Sequence, residues 1–219
     1  MFTTANLAPM VWAATVETMY MVSISTVVTA LLGIPLGVVL VVTRPGHIWA
    51  DRSLNLGLGL AVNFIRAIPF PIFLVFVIPL TRLIVGVSIG PTAVIVPLTL
   101  AAIVFMARLA ETALLEVPGG VVEAAQSAGA NNWQIVWHVL LPEARSGLML
   151  AVTILVITLI GYSAMAGMVG GGGLGDLAVR YGYQRYKPDV MWVTVILLAV
   201  VVQLIQYGGE TLAKRWSRR

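Results

Sequence analysis

Five apolar runs, each close to the ~20 residues a helix needs to cross a bilayer, set the terms on which this chain can fold. They cover about residues 19–42, a broken stretch from 54 to 82, then 92–109, 148–168 and 190–206. The second is interrupted by Asn63, Arg66, Pro69 and Pro71. Composition agrees: of 219 residues, 59% are hydrophobic and 10% charged, with mean hydropathy +0.98. A soluble domain carries about 25% charged residues, and one of this length has no core large enough for so much apolar surface. The solvent for most of the chain is lipid. The expected fold is an all-α integral membrane protein with five transmembrane helices per chain. Residues 1–20 hold no Lys or Arg and Glu17 breaks the early apolar stretch, so no cleavable signal is expected. The domain reading is an external segment 1–18, a transmembrane domain 19–210 and a basic cytoplasmic tail 211–219.

An odd number of spans puts the chain ends on opposite sides. With the N-terminus outside, Arg44, Arg52, Arg66, Arg108, Arg145, Lys214, Arg215, Arg218 and Arg219 face the cytoplasm. Arg82, Arg180, Arg185 and Lys187 face outward, so the basic residues concentrate inside as membrane topology requires. Their scatter over span ends also removes the nucleic-acid reading that a net charge of +4 and a pI near 9.8 invite. Arg66 is costly in lipid. With Pro69 and Pro71 just beyond it, the second crossing is expected to begin near residue 66. Residues 54–65 then form an interfacial or partly inserted helix, with Arg66 reaching the headgroups. In the first span, Gly33 and Gly37 stand four apart beside Pro35 and read as a helix-packing site.

The loop between the third and fourth spans, about residues 110–147, falls on the cytoplasmic side. Arg108 and Glu111 are spaced to pair along a helix, which Pro118, Gly119 and Gly120 then end. Residues 121–128 restart as a short helix of small side chains, with Ala124, Ala125 and Ala128 forming a slim face. Gly129 stops it. Asn131 followed by Gln134 predicts an N-cap and capping box for a second short helix over 132–140. Pro142 ends that helix or begins the next. Two short helices set at an angle make a lever, which suits a protein pushed by a soluble partner.

The residues Glu123-Ala124-Ala125, then Gly129, then Leu141-Pro142 carry a resemblance. Their pattern is similar to that of permeases of binding-protein-dependent ABC importers, with Val139 where isoleucine is usual. Further segments resemble the permeases of methionine importers: 43–46, 66–70, 78–82, 113–118, 161–165, and 172–175 with 181–183 after it. The likeness spans about residues 15–210. It departs at Arg145, where proline is common, in the glycine-rich 170–173, and at the N-terminus. The resemblance implies a type I importer permease fold and a homodimer working with two ABC ATPase subunits. An extracytoplasmic methionine-binding protein or lipoprotein would deliver D- or L-methionine, and the whole would sit among membrane lipids in a bacterial inner membrane. In that family the Glu123–Pro142 loop docks on the ATPase. Met165 corresponds to the family position that narrows the external gate, with Tyr162 and Ser163 beside it on the pathway. Met165 reads equally well as a packing residue, because methionine fills gaps in ordinary cores. Another amino acid or small organic solute as cargo keeps the same mechanism.

The external segment 169–189 carries Tyr181, Tyr183 and Tyr186. It suits a face for the binding protein or an aromatic belt at the membrane edge. Gly170-x-Gly172-x-x-Gly175 formally matches a dinucleotide fingerprint, but it follows a membrane helix and no βαβ pattern surrounds it. No phosphate-loop motif occurs, there is no Cys, and His47 and His138 lie in different loops. No cofactor, metal site, catalytic set or nucleic-acid partner is expected, and the chain is not read as an enzyme. A secondary transporter would show inverted repeats and intramembrane carboxylates, where only Glu111 lies near a span.

Overall fold

The structure, a computed structural model, describes residues 7–217. Residues 1–6 and Arg218 and Arg219, which the outer segment and the basic tail were expected to include, lie outside the described residues. Those described form helices and turns, with no strand among them.

Helix α1 (Leu7–Val42) starts well before Met19. Thr15, Glu17 and Thr18 dilute its apolar character without breaking it, because each polar group is satisfied. Thr15 returns its hydroxyl to the Val11 carbonyl at 2.7 Å, and Glu17 and Thr18 accept from the Gly173 and Leu174 amides, described below. Beyond α1 the chain turns through residues 43–51, with Gly46 at φ +85°. Asp51 caps α2 (Arg52–Ala67) by accepting the Leu54 N–H at 3.0 Å. Asn55 in α2 reaches back, donating to the Leu40 carbonyl at 2.7 Å and to Thr43 Oγ1 at 3.0 Å.

The second expected span is a series of short helices, α2, α3 (Phe70–Phe76) and α4 (Ile78–Val85). Pro69, extended at φ −57° and ψ 132°, precedes α3, while Pro71 and Pro79 sit in the first turns of α3 and α4, where a missing N–H costs no helical hydrogen bond. Arg66 is exposed at the end of α2, its guanidinium 6.0 Å from the centre of the Phe105 ring. There follow α5 (Pro91–Leu115), α6 (Gly119–Ser127), α7 (Asn132–Ile135), α8 (Leu141–Glu143), α9 (Arg145–Gly167), α10 (Gly173–Leu177) and α11 (Pro188–Ser217). Among the described residues, α1, α5, α9 and α11 are long and apolar enough to cross a membrane. There are up to five crossings if the bent pair α2–α3 counts as one span.

The chain forms two compact units, and each of the four long helices contributes to both. One comprises residues 29–67, 102–155 and 207–219. Within it the expected packing site is real. A Cβ added to Gly33 would stand 2.7 Å from Met106 Cβ, and one on Gly37 would stand 2.6 Å from Ala110 Cβ. Small residues let α1 and α5 touch backbone to backbone.

The other unit comprises residues 1–28, 68–101 and 156–206. Here the glycine run 170–173 finds its purpose. The Gly173 N–H donates to Glu17 Oε2 at 2.7 Å, and the Leu174 N–H to Thr18 Oγ1 at 2.9 Å. A Cβ on Gly172 would meet Glu17 Oε2 at 2.9 Å. The turn therefore presents one amide to the chain's own carboxylate and the next to a hydroxyl. No strand leads into it, which removes the dinucleotide reading on structural grounds as well. Leu174 and Leu177 bury beside Ala14 and Val190. Replacing Glu17 by Ala strands the Gly173 amide and is expected to cost about 1–3 kcal/mol. Glu17→Gln, which keeps an acceptor, costs less, and the two melting temperatures should rank in that order.

Candidate functional site

The residues singled out from the sequence in the loop between α5 and α9 assemble into one elbow within the 29–67, 102–155, 207–219 unit. Pro118, at φ −59° and ψ 129°, starts α6. Gly129, at φ +82°, ends it. The Gly129 N–H donates to the Gln126 carbonyl at 2.9 Å, and the Ala130 N–H to the Ala125 carbonyl at 3.0 Å. This paired closure around a left-handed residue explains why the glycine follows Ala125 by four places. It also gives Ala125 and Ala130 a common seat on the apolar cluster of Val41, Val42, Leu114, Ile135 and Leu140. Ala125 thus faces inward, and the exposed slim face is left to Ala124 and Ala128, with Glu123 also exposed.

One residue further on, the capping box is present in both directions. The Gln134 N–H donates to Asn131 Oδ1 at 2.9 Å, and the Asn131 N–H to Gln134 Oε1 at 2.8 Å. After α7 the chain widens through Val136–Leu140, where the Leu141 N–H reaches five residues back to the Val136 carbonyl. Pro142 brings no N–H to the regular ladder, and a wide turn ahead of it lets winding continue into α8. Leu141 packs on the apolar cluster while Pro142 is exposed.

Sequence reasoning missed what seats the elbow. Asn132 Nδ2 donates to the Ile48 carbonyl at 2.8 Å, and Trp133 meets Trp49 edge-on with ring centres 5.0 Å apart. Trp133 and Trp137 are well exposed, and His138 lies beside them with Nδ1 3.3 Å from the Gln134 carbonyl. The only sequence signal was a pair of tryptophans one helical turn apart. A cleft of about 300 Å³ opens beside α6, lined by His47, Ile48, Leu115, Glu123 and Gln126 among others. Burial, and secondarily the charge of Arg44, hold His47 below the usual imidazole range. Since the folded value is depressed, the associated stability is complete above the unfolded value of about 6.5 and lost as pH falls through the folded one. His47→Gln is expected to flatten the loss of thermal stability between about pH 7.5 and pH 5.

The three residues assigned to the pathway lie together on α9. Tyr162 stacks on Phe70 with ring centres 4.3 Å apart and planes within 4°. Ser163 is buried and donates to the Ile160 carbonyl at 2.8 Å. Met165 is 42% exposed. Among the described residues no group of His, Asp and Glu side chains could hold a metal.

Comparison with known proteins fits this architecture. The family model describing the inner membrane component of binding-protein-dependent transport systems matches residues 33–218, and the chain belongs to that family. It is therefore a multi-pass ABC importer permease with an all-α fold. Over 206 residues it is 54% identical to the probable D-methionine transport system permease protein MetI of Vibrio cholerae, covering 94% of this chain and 92% of that one. It is 51% identical to the D-methionine transport system permease protein MetI of Escherichia coli (strain K12) over 162 residues, 73% of this chain and 75% of that one. Among solved structures, a chain of the inward-facing MetNI methionine ABC transporter superposes with TM-score 0.96 at 46% identity, covering 98% of this chain and 99% of that one. A chain of an amino acid ABC transporter with histidines, 18% identical with TM-score 0.73, shares the fold.

Proposed function

We propose that this chain is the permease subunit of an ATP-driven methionine importer. Two copies line the translocation pathway. Two ABC ATPase subunits dock on the elbow formed by α6, α7 and α8, and an extracytoplasmic methionine-binding protein or lipoprotein delivers D- or L-methionine from outside. The chain itself performs no chemistry; ATP is hydrolysed by its partner. The observation that carries the reading is likeness along the whole chain, at 46% identity and TM-score 0.96, to a chain of a methionine transporter.

The N-terminus lies outside and the C-terminus in the cytoplasm of a bacterial inner membrane, with the coupling loop of residues 110–147 and the tail 211–219 on the inner side. The distribution of charge supports this orientation. Arg44, Arg52, Arg66, Arg108, Arg145, Lys214 and Arg215 all fall in the unit that contains the elbow, while Arg82, Arg180, Arg185 and Lys187 fall in the other. Glu123, Ala124, Ala125, Gly129, Leu141 and Pro142 make up the coupling elbow, with Glu123, Ala124, Gly129 and Pro142 exposed for docking and Ala125 and Leu141 packed behind them on the apolar cluster. Its displacement biases a helix bundle with two stable arrangements.

The test is reconstitution with the cognate ATPase and binding protein, followed by labelled-methionine uptake into proteoliposomes. Uptake of a different solute with methionine excluded would reject the cargo. Met165, with Tyr162 and Ser163, forms the outer gate against its copy in the second protomer. Met165→Ala is expected to raise solute leak through the resting complex by about tenfold, since an unbranched apolar plug has been removed. Unchanged leak would return Met165 to a packing role.

A further inference from the structure

Away from the docking surface, one carboxylate fastens three segments at a single point. Glu111, near the end of α5, is 5% exposed. Its Oε1 lies 3.4 Å from Arg44 Nη2, in the turn that follows α1. Its Oε2 pairs with Arg108 Nη1, one turn earlier on α5. Arg108 Nη2 in turn donates to the Gly59 carbonyl, inside α2, at 3.0 Å. The end of α1, the end of α5 and the middle of α2 are thereby tied together just before α5 leads into α6. The elbow itself packs on the ends of α1 and α5 through the apolar cluster of Val41, Val42, Leu114 and Ile135, and on the turn after α1 through the Asn132–Ile48 hydrogen bond and the Trp133–Trp49 contact. Apolar contact is non-directional and lets surfaces slip, whereas charge-assisted hydrogen bonds fix direction as well as distance. Removing one partner of such a pair strands a charge, so Glu111→Gln carries some loss of stability as well as the loss of a directional link.

We propose that Glu111 is the positioning residue through which displacement of the α6–α8 elbow is passed to α1 and α2. This rests on the importer reading above and adds the point of force transfer. The spacing of Arg108 and Glu111 signalled half of the cluster; Arg44 and Gly59 join it only through the fold.

The test uses the full transporter in proteoliposomes and reads methionine moved per ATP hydrolysed. Glu111→Gln is expected to lower that ratio about tenfold, within the range by which single residues alter coupling. Co-purification with the ATPase and the rate of hydrolysis should stay within about twofold. Glu111→Asp, which keeps the charge, should restore part of the ratio. Arg44→Gln, which leaves the Arg108 pair intact, should lower it about threefold. An unchanged ratio in Glu111→Gln overturns the proposal. So does a parallel fall of uptake and hydrolysis with a lower melting temperature, which marks a merely structural role. Should Glu111→Gln fail to assemble, an unchanged ratio in Arg44→Gln overturns it instead. Native complex that moves no methionine sinks the importer reading, whereas native uptake with an unaltered variant ratio sinks only the role of Glu111.

Discussion

Gly129→Pro is expected to abolish methionine uptake, by about 100-fold or more, in permease that still inserts and dimerises. Three effects combine at this position. Proline fixes φ near −65°, whereas Gly129 sits at +82°. Proline also removes the N–H that donates to the Gln126 carbonyl. Finally, it drives Ala128, at φ −78° and ψ 2°, out of its turn geometry. Together these cost at least about 3 kcal/mol, and each 1.4 kcal/mol is tenfold in the population of the elbow in its native shape. Gly129→Ala provides the graded control. A left-handed alanine costs about 1–2 kcal/mol, so uptake should fall roughly tenfold. Insertion is measured by membrane extraction and gel filtration, and uptake in proteoliposomes. A proline variant that transports like native protein removes the elbow from the mechanism.

Gly175→Ala should be strongly destabilising for the addition of a single methyl group. A Cβ there would lie 2.4 Å from both Cα and O of Ala164, and one on Gly167 would lie 2.2 Å from the Asp176 amide nitrogen. The two glycines face each other, so the backbones of α9 and α10 touch and no flexible side chain can yield. Overpacking against backbone costs about 3 kcal/mol. That is enough to lower the melting temperature by several degrees, read from tryptophan fluorescence. Gly161→Ala is the matched control, because a Cβ at Gly161 meets nothing within 4 Å. It should shift stability by less than about 0.5 kcal/mol. Equal melting temperatures for the two variants would mean that α10 does not bear on α9 as described.

How far the sequence could be read depended on whether each signal was local. The elbow was legible almost to the residue, because its closure at Gly129 and its capping box at Asn131 and Gln134 use partners no more than five positions apart. The four long helices were legible from their apolar length, although their ends were not. Glu17 looked like an interruption of α1, since its partner, the Gly173 amide, lies 156 positions away. The purpose of the glycine run was hidden for the same reason. The second crossing could be seen to break at its prolines, but three separate helices, α2, α3 and α4, follow from how each proline is accommodated. The sequence groups Ala125 with Ala124 and Ala128 on one slim face because a helix of small residues has no strong apolar side. Only the packing of Ala125 and Ala130 on a shared cluster shows which way α6 is turned. The side-chain bonds of Asn55 and Asn132 to distant carbonyls left no periodic trace.

Because the elbow takes its shape from neighbours within its own short stretch of chain, it behaves as a standard fitting. The surrounding spans are free to diverge as cargo changes, provided a glycine and an asparagine keep their places.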